Sequence, residues 1–183
     1  MKTNKDAVEN AAKYLRMIWQ GHDELNSRMF EEGAAGLYGI LKPDVPSDST
    51  MAAAQFLRAA YWLSDEAEEQ QGQSEIEENL VYKNAGELIR KSRAAVGLET
   101  KSVEFTINWW KAYRHGDVTT LLENIVKEHV CQLNCVNNLP VAQHCTQLVM
   151  EAGEEHTKHD WNNCEAKLIK YFEIYLPAFL KKF

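Results

Sequence analysis

Lys101-Ser102-Val103-Glu104-Phe105-Thr106-Ile107-Asn108-Trp109-Trp110 is the stretch on which the fold class turns. Val103, Phe105, Ile107 and Trp109 alternate with Ser102, Glu104, Thr106 and Asn108, the period of two shown by a half-buried strand. Val103, Ile107 and Trp110 also stand at helical spacing. A strand needs a neighbour to take its backbone hydrogen bonds, and the sequence holds no second convincing alternating run. The segment therefore reads as helix and the chain as all-α, with 101–110 the one place where a short strand fits.

Helical periodicity continues on both sides. Upstream, Val81, Ala85, Leu88, Ser92 and Ala95 mark one face, with Ser74 as N-cap, Glu77 at the capping-box position and Gly97 as C-cap. Before it, a helix starting at Ser49 or Thr50 runs through Met51 and Leu63. Its small alanines let a neighbouring helix approach, with Phe56, Leu57 and Tyr61 filling the contact. Residues 50–96 thus form a helical hairpin, broken at Gln70-Gln71-Gly72-Gln73. Pro43 to Asp48 is the clearest loop. At the N-terminus, Val8, Ala12, Leu15, Trp19, His22 and Met29 share a face. Thr3 or Asn4 caps that helix, Gly21 loosens or bends it, Gly33 stops it, and a short helix follows over 34–41.

Downstream, Leu121, Leu122, Ile125, Val126, His129, Leu133 and Val136 form a broad stripe that ends at Asn137-Asn138-Leu139-Pro140. The next helix buries Val141, Cys145, Leu148, Val149 and Ala152, and Gly153 weakens its end. The last carries Trp161, Cys164, Leu168, Phe172, Tyr175 and Phe179, with Pro177 kinking it or ending its regular part. The expectation is one helical domain over 1–183, a bundle of about six or seven helices.

Composition fits a protein with its own core. Of 183 residues 45% are hydrophobic and 26% charged, which argues against disorder. The longest stretch free of charged side chains, His129 to Met150, carries too many amides and histidines for a lipid span. Met1 to Asp6 leads into a charged amphipathic pattern rather than an apolar signal core. A cytoplasmic location is expected, with Cys131, Cys135, Cys145 and Cys164 reduced.

Charge is the strongest functional clue. Asp65, Glu66, Glu68, Glu69, Glu75, Glu77 and Glu78 lie together with no Lys or Arg among them. The net charge is −7, so this hairpin tip holds the chain's whole excess. A field this concentrated attracts a basic partner and repels nucleic acid. Acidic residues after Ser74 also complement the helix dipole, and Lys83, Arg90, Lys91, Arg93 and Lys101 could neutralise the tip within the hairpin.

Recognisable chemistry is sparse. His115, His129, His144, His156 and His159 accompany the four cysteines in the C-terminal half, and His129, Cys145, His156 and Cys164 fall on apolar stripes of successive helices. Cys131 and Cys135 lie four apart on another face beside Glu128. Neither group has paired CxxC spacing, so structural thiols and a hydrogen-bonded core histidine are expected instead of a metal site. His159-Asp160 has one dipeptide of HD-type phosphohydrolases, but no later Asp completes that ligand set. Glu66, Glu69, Glu75 and Glu78 give two Glu-x-x-Glu pairs, superficially like magnesium-binding carboxylates of helical nucleotide pyrophosphohydrolases, yet here they flank a Gln/Gly loop. No phosphate-binding glycine loop, nucleophile motif or basic aromatic stripe is present.

The leading expectation is a non-catalytic intracellular interaction protein, such as an adaptor, inhibitor, immunity protein or regulatory subunit. It takes a basic protein partner at the seven acidic residues, with no cofactor, membrane or direct nucleic-acid contact. The alternative is a metal-dependent hydrolase acting on a phosphorylated small molecule. A third reading is a bundle enclosing an apolar ligand.

Overall fold

A computed structural model describes residues 4–70, 74–134 and 138–181, with the side chains of 68–70 outside that description. Among the described residues the elements are eight α-helices: α1 Lys5–Asp23, α2 Ser27–Leu41, α3 Ser47–Gln70, α4 Glu75–Ala95, α5 Val103–His115, α6 Val118–Leu133, α7 Leu139–Thr157 and α8 Trp161–Leu180. Each packs on its sequence neighbour, and α8 returns against α1, so the helices close into one bundle. None of the described helices is long and apolar enough to cross a membrane.

The ambiguous stretch is helical. Val103, Thr106 and Trp110, at steps of three and four, are buried in α5 together with Ala112, whereas the strand pattern would have buried Phe105 and Trp109 with Val103. Ser102 is the N-cap residue, but its side chain accepts no N–H from the first turn of α5. Its N–H donates to Glu99 Oε2 at 2.9 Å, and its hydroxyl donates to Glu99 Oε1. Gly116, at φ 69, closes α5, and Asp117 at once caps α6 by accepting from Thr120 N.

The first helical run is two helices. Leu25 turns left-handed at φ 54, and the Asn26 side chain accepts from Met29 N to start α2. Gly33 lies inside α2 and stops nothing. A Cβ there would stand 2.7 Å from Tyr14 O, and one at Gly21 would stand 2.7 Å from Phe30 N. These glycines let the two backbones cross closely, and Phe30 is fully buried beside the crossing. The short helix expected over 34–41 is the second half of α2. The boundary therefore falls at 24–26 and not at Gly33, and the described residues form eight helices where about six or seven were expected.

Other boundaries follow the local chemistry. Asn4 caps α1, Ser74 Oγ accepts from Glu77 N to cap α4, and Gly97 is left-handed at φ 73. The α3 helix starts at Ser47, earlier than expected, with the Thr50 hydroxyl turned back to Ser47 O. Pro177 sits inside α8, which runs on to Leu180 and buries Phe179.

Ala53, Ala54, Ala60 and Ala67 of α3 are all buried, with Leu57 and Tyr61 packed beside them, as the spacing of small residues requires. One core joins α1, α7 and α8 through Ala11, Ala12, Cys145, Leu148, Leu168 and Phe172. A second joins α3, α4 and α5 through Ala60, Tyr82, Ile89 and Trp110. Tyr38 of α2 donates to Ser92 Oγ at 2.6 Å, and Ser92 donates onward to Ala53 O, which ties α2, α3 and α4 inside the bundle.

Candidate functional site

The acidic residues divide into two groups. Asp65 and Glu78 turn inward. Asp65 Oδ2 lies 2.8 Å from His22 Nε2, and its Oδ1 accepts from Arg114 Nη2 at 2.9 Å. Burial pushes this carboxyl upward, but His22 and Arg114 together outweigh burial and hold it below the usual carboxylate range. Glu78 is buried and meets His115 Nε2 at 2.5 Å. The cation and imidazoles that meet Asp65 and Glu78 therefore come from α1 and α5. Arg90 pairs with Glu87, and Arg93 points into the bundle.

Glu66, Glu75 and Glu77 are exposed, and the side chains of Glu68 and Glu69 lie outside the described residues. Beside Glu75 and Glu77 stand two apolar side chains that the sequence reading passed over: Ile76 is 82% and Leu80 54% exposed. They are one helical turn apart on α4, and the signal for them was an apolar residue on the face opposite Glu78, Tyr82 and Ala85. The exposed surface of this end is thus mixed, acidic and apolar.

A polar centre went unpredicted. Glu128 of α6 accepts from Arg93 Nη2 at 3.2 Å, Thr106 Oγ1 at 2.7 Å, Gln132 Nε2 at 3.2 Å and Trp109 Nε1 at 2.6 Å. Arg93 also donates to Ser102 Oγ at 2.7 Å and lies 3.8 Å from Glu99, while Tyr175 of α8 donates to Gln132 Oε1 at 3.1 Å. The Arg93 and Glu128 side chains are each 13% exposed. Both carboxylate oxygens are occupied by donors, so the pair serves to fix α4, α5, α6 and α8 relative to one another.

His129 is the core histidine its stripe predicts. Thr146 spends its proton on Ala142 O, so Thr146 Oγ1 accepts from His129 Nδ1–H at 3.0 Å. Nε2 then accepts from Tyr171 OH at 2.9 Å. Burial pulls this imidazole down to about 4. Cys145 and Cys164 are buried thiols, and burial pushes Cys164 up to about 12, so it is not a ready nucleophile. Cys131 Sγ lies 3.7 Å from Glu99 Oε2, and Cys135 lies outside the described residues.

His156 does not join His129. It sits between Trp19 and Trp161, with its Nε2 2.9 Å from Asp23 Oδ2. His159, beyond the end of α7, lines a surface cleft of about 670 Å³ with Arg16, Lys158, Trp161 and Glu165. Arg16 is already engaged there by Glu165 at 3.0 Å.

Comparison with protein families, with characterised proteins and with solved structures finds no match to this chain.

Proposed function

We propose that this chain is a non-catalytic interaction protein of the cell interior, an adaptor, inhibitor, immunity protein or regulatory subunit, that holds a basic protein partner at its acidic hairpin end. The observation that carries the reading is the pairing of exposed charge with exposed apolar surface on the first turns of α4. Glu75 and Glu77 face solvent beside Ile76 and Leu80. Solvation alone accounts for exposed glutamates; what supports a contact surface is that two exposed apolar side chains, Ile76 and Leu80, stand one helical turn apart beside them.

The contact surface is narrower than the run of acidic residues. Asp65 and Glu78 are committed to His22, Arg114 and His115, so they shape the end from within. Glu66, Glu75 and Glu77 supply the outward charge, and Ile76 and Leu80 supply apolar area. Complementary charge speeds encounter and selects the partner, while burying the apolar pair slows its release.

Capture from a cell extract with the chain and with a Glu66→Lys, Glu75→Lys, Glu77→Lys variant tests the charge. The variant is expected to lose the basic partner that the chain itself retains at low salt. Equal recovery by both proteins removes the acidic end from the account. An Ile76→Ser, Leu80→Ser variant tests the apolar half, with faster dissociation expected.

A further inference from the structure

The surface cleft beside His159 is walled by α1 through Arg16 and Gln20 and by the start of α8 through Trp161, Asn162 and Glu165. Its volume, about 670 Å³, lies in the range of sites that take small molecules. The lining narrows the ligand. No Leu, Ile, Val, Met or Phe takes part, so an apolar ligand gains little there. The fixed charges balance, Arg16 and Lys158 against Asp160 and Glu165, so an ion of either sign meets repulsion as well as attraction. A neutral, polar ligand fits what remains.

The polar groups are held in place and incompletely used. The Arg16 side chain is 20% exposed and is fixed at two points: Nε donates to Glu165 Oε2 and Nη1 to Gln20 Oε1, both at 3.0 Å. Its contact with Glu165 runs through one oxygen. Among the described residues nothing bonds Arg16 Nη2 or Glu165 Oε1, so a donor and an acceptor stay open side by side. The Asn162 side chain makes no hydrogen bond there either and offers one of each kind. Paired spare donors and acceptors suit hydroxyl groups, each of which both donates and accepts.

Trp161 supplies the apolar part. Its ring is set by His156 and His159, with centroids at 5.5 and 5.8 Å. His156 is itself held by Trp19 and by Asp23, whose Oδ2 lies 2.9 Å from Nε2. The Asp23–His156 pair thus steadies the indole at the cleft. An indole face packs on the C–H face of a pyranose while the hydroxyls reach polar groups around it. We infer that the cleft between α1 and the start of α8 binds a neutral sugar, with Trp161 against the ring and Arg16, Glu165 and Asn162 on its hydroxyls. None of these residues belongs to the acidic end, so the site stands apart from the proposed partner.

The test is saturation-transfer NMR and tryptophan fluorescence of the full chain, titrated at millimolar concentrations with glucose, galactose, mannose, N-acetylglucosamine, maltose and cellobiose. Inorganic phosphate and adenosine serve as anionic and aromatic comparisons. At least one sugar should saturate a single site. Trp161→Ala should abolish saturation, and Asn162→Ala should weaken it about three- to tenfold, the worth of one hydrogen bond. Asn162 is exposed, so N162A keeps the fold and decides the matter if melting curves show that W161A does not. Lys170→Ala, at an exposed position of α8 that does not line the cleft, should bind as the unaltered chain does. Saturation by none of these sugars overturns the site, and saturation by phosphate or adenosine in their place overturns the ligand class. Sugar binding unchanged in N162A overturns the location.

Discussion

Acidifying the solution from pH 7 to pH 4 perturbs the bundle most directly at His129. The imidazole is buried, donates to Thr146 and accepts from Tyr171, and is held neutral with its pKa pulled down to about 4 by burial. In the unfolded chain a histidine titrates near 6.5, so between these values the unfolded state binds the extra proton. A base with a depressed folded pKa contributes stability that is whole above pH 6.5 and is lost as pH falls toward 4. A gap of about 2.5 pH units at 1.36 kcal/mol each gives a loss of about 3 kcal/mol across that window. Asp65, held below the usual carboxylate range, loses its contribution only at lower pH, below the unfolded value of 3.8. The assay is a difference, so that pH-dependent contributions from the rest of the chain cancel. Urea unfolding of the chain and of His129→Gln is followed at steps between pH 7 and pH 4. The glutamine keeps a donor and an acceptor but does not titrate. The unaltered chain should lose about 3 kcal/mol more than the variant across the window. Parallel profiles would refute the buried neutral imidazole as a stability-bearing group.

Other perturbations read other parts of the structure. Glu128→Ala leaves Arg93 buried with only Glu99, 3.8 Å away, as counter-charge, and should cost about 3 kcal/mol in urea unfolding. Gly33→Ala drives a Cβ to 2.7 Å from Tyr14 O and should destabilise by about 1–3 kcal/mol. Gly153→Ala, mid-helix in α7 with nothing within 4 Å of the new Cβ, should stabilise by about 0.5–1 kcal/mol in the same assay. Opposite signs for these two glycines separate close helix crossing from simple propensity; equal signs would contradict that distinction.

Helix identity was legible wherever apolar residues recur at three and four, and the caps Asn4, Ser74 and Gly97 stand where local chemistry places them. The 101–110 stretch carried both periods, and the missing strand partner resolved it correctly. The break at 24–26 was not legible, because Val8 to Met29 keep one face across it and Leu25 is not a residue that announces a left-handed turn. Gly21 read as a helix weakener and Gly33 as a helix stop because their reason lies on the other helix. The same limit hid the polar centre and the inward turn of two acidic side chains. Arg93 finds Glu128 35 residues away, and Asp65 finds His22 and Arg114 at 43 and 49. Clustering in sequence gave charge density, but only the packing tells which carboxylates face solvent.

Hydrogen exchange of the chain, alone and bound to its captured basic partner, tests the interaction reading most directly. The account predicts new protection over residues 75–83 at the start of α4, with exchange across α7 and α8 unchanged. Protection confined to another face, with 75–83 exchanging as in the free chain, would contradict it.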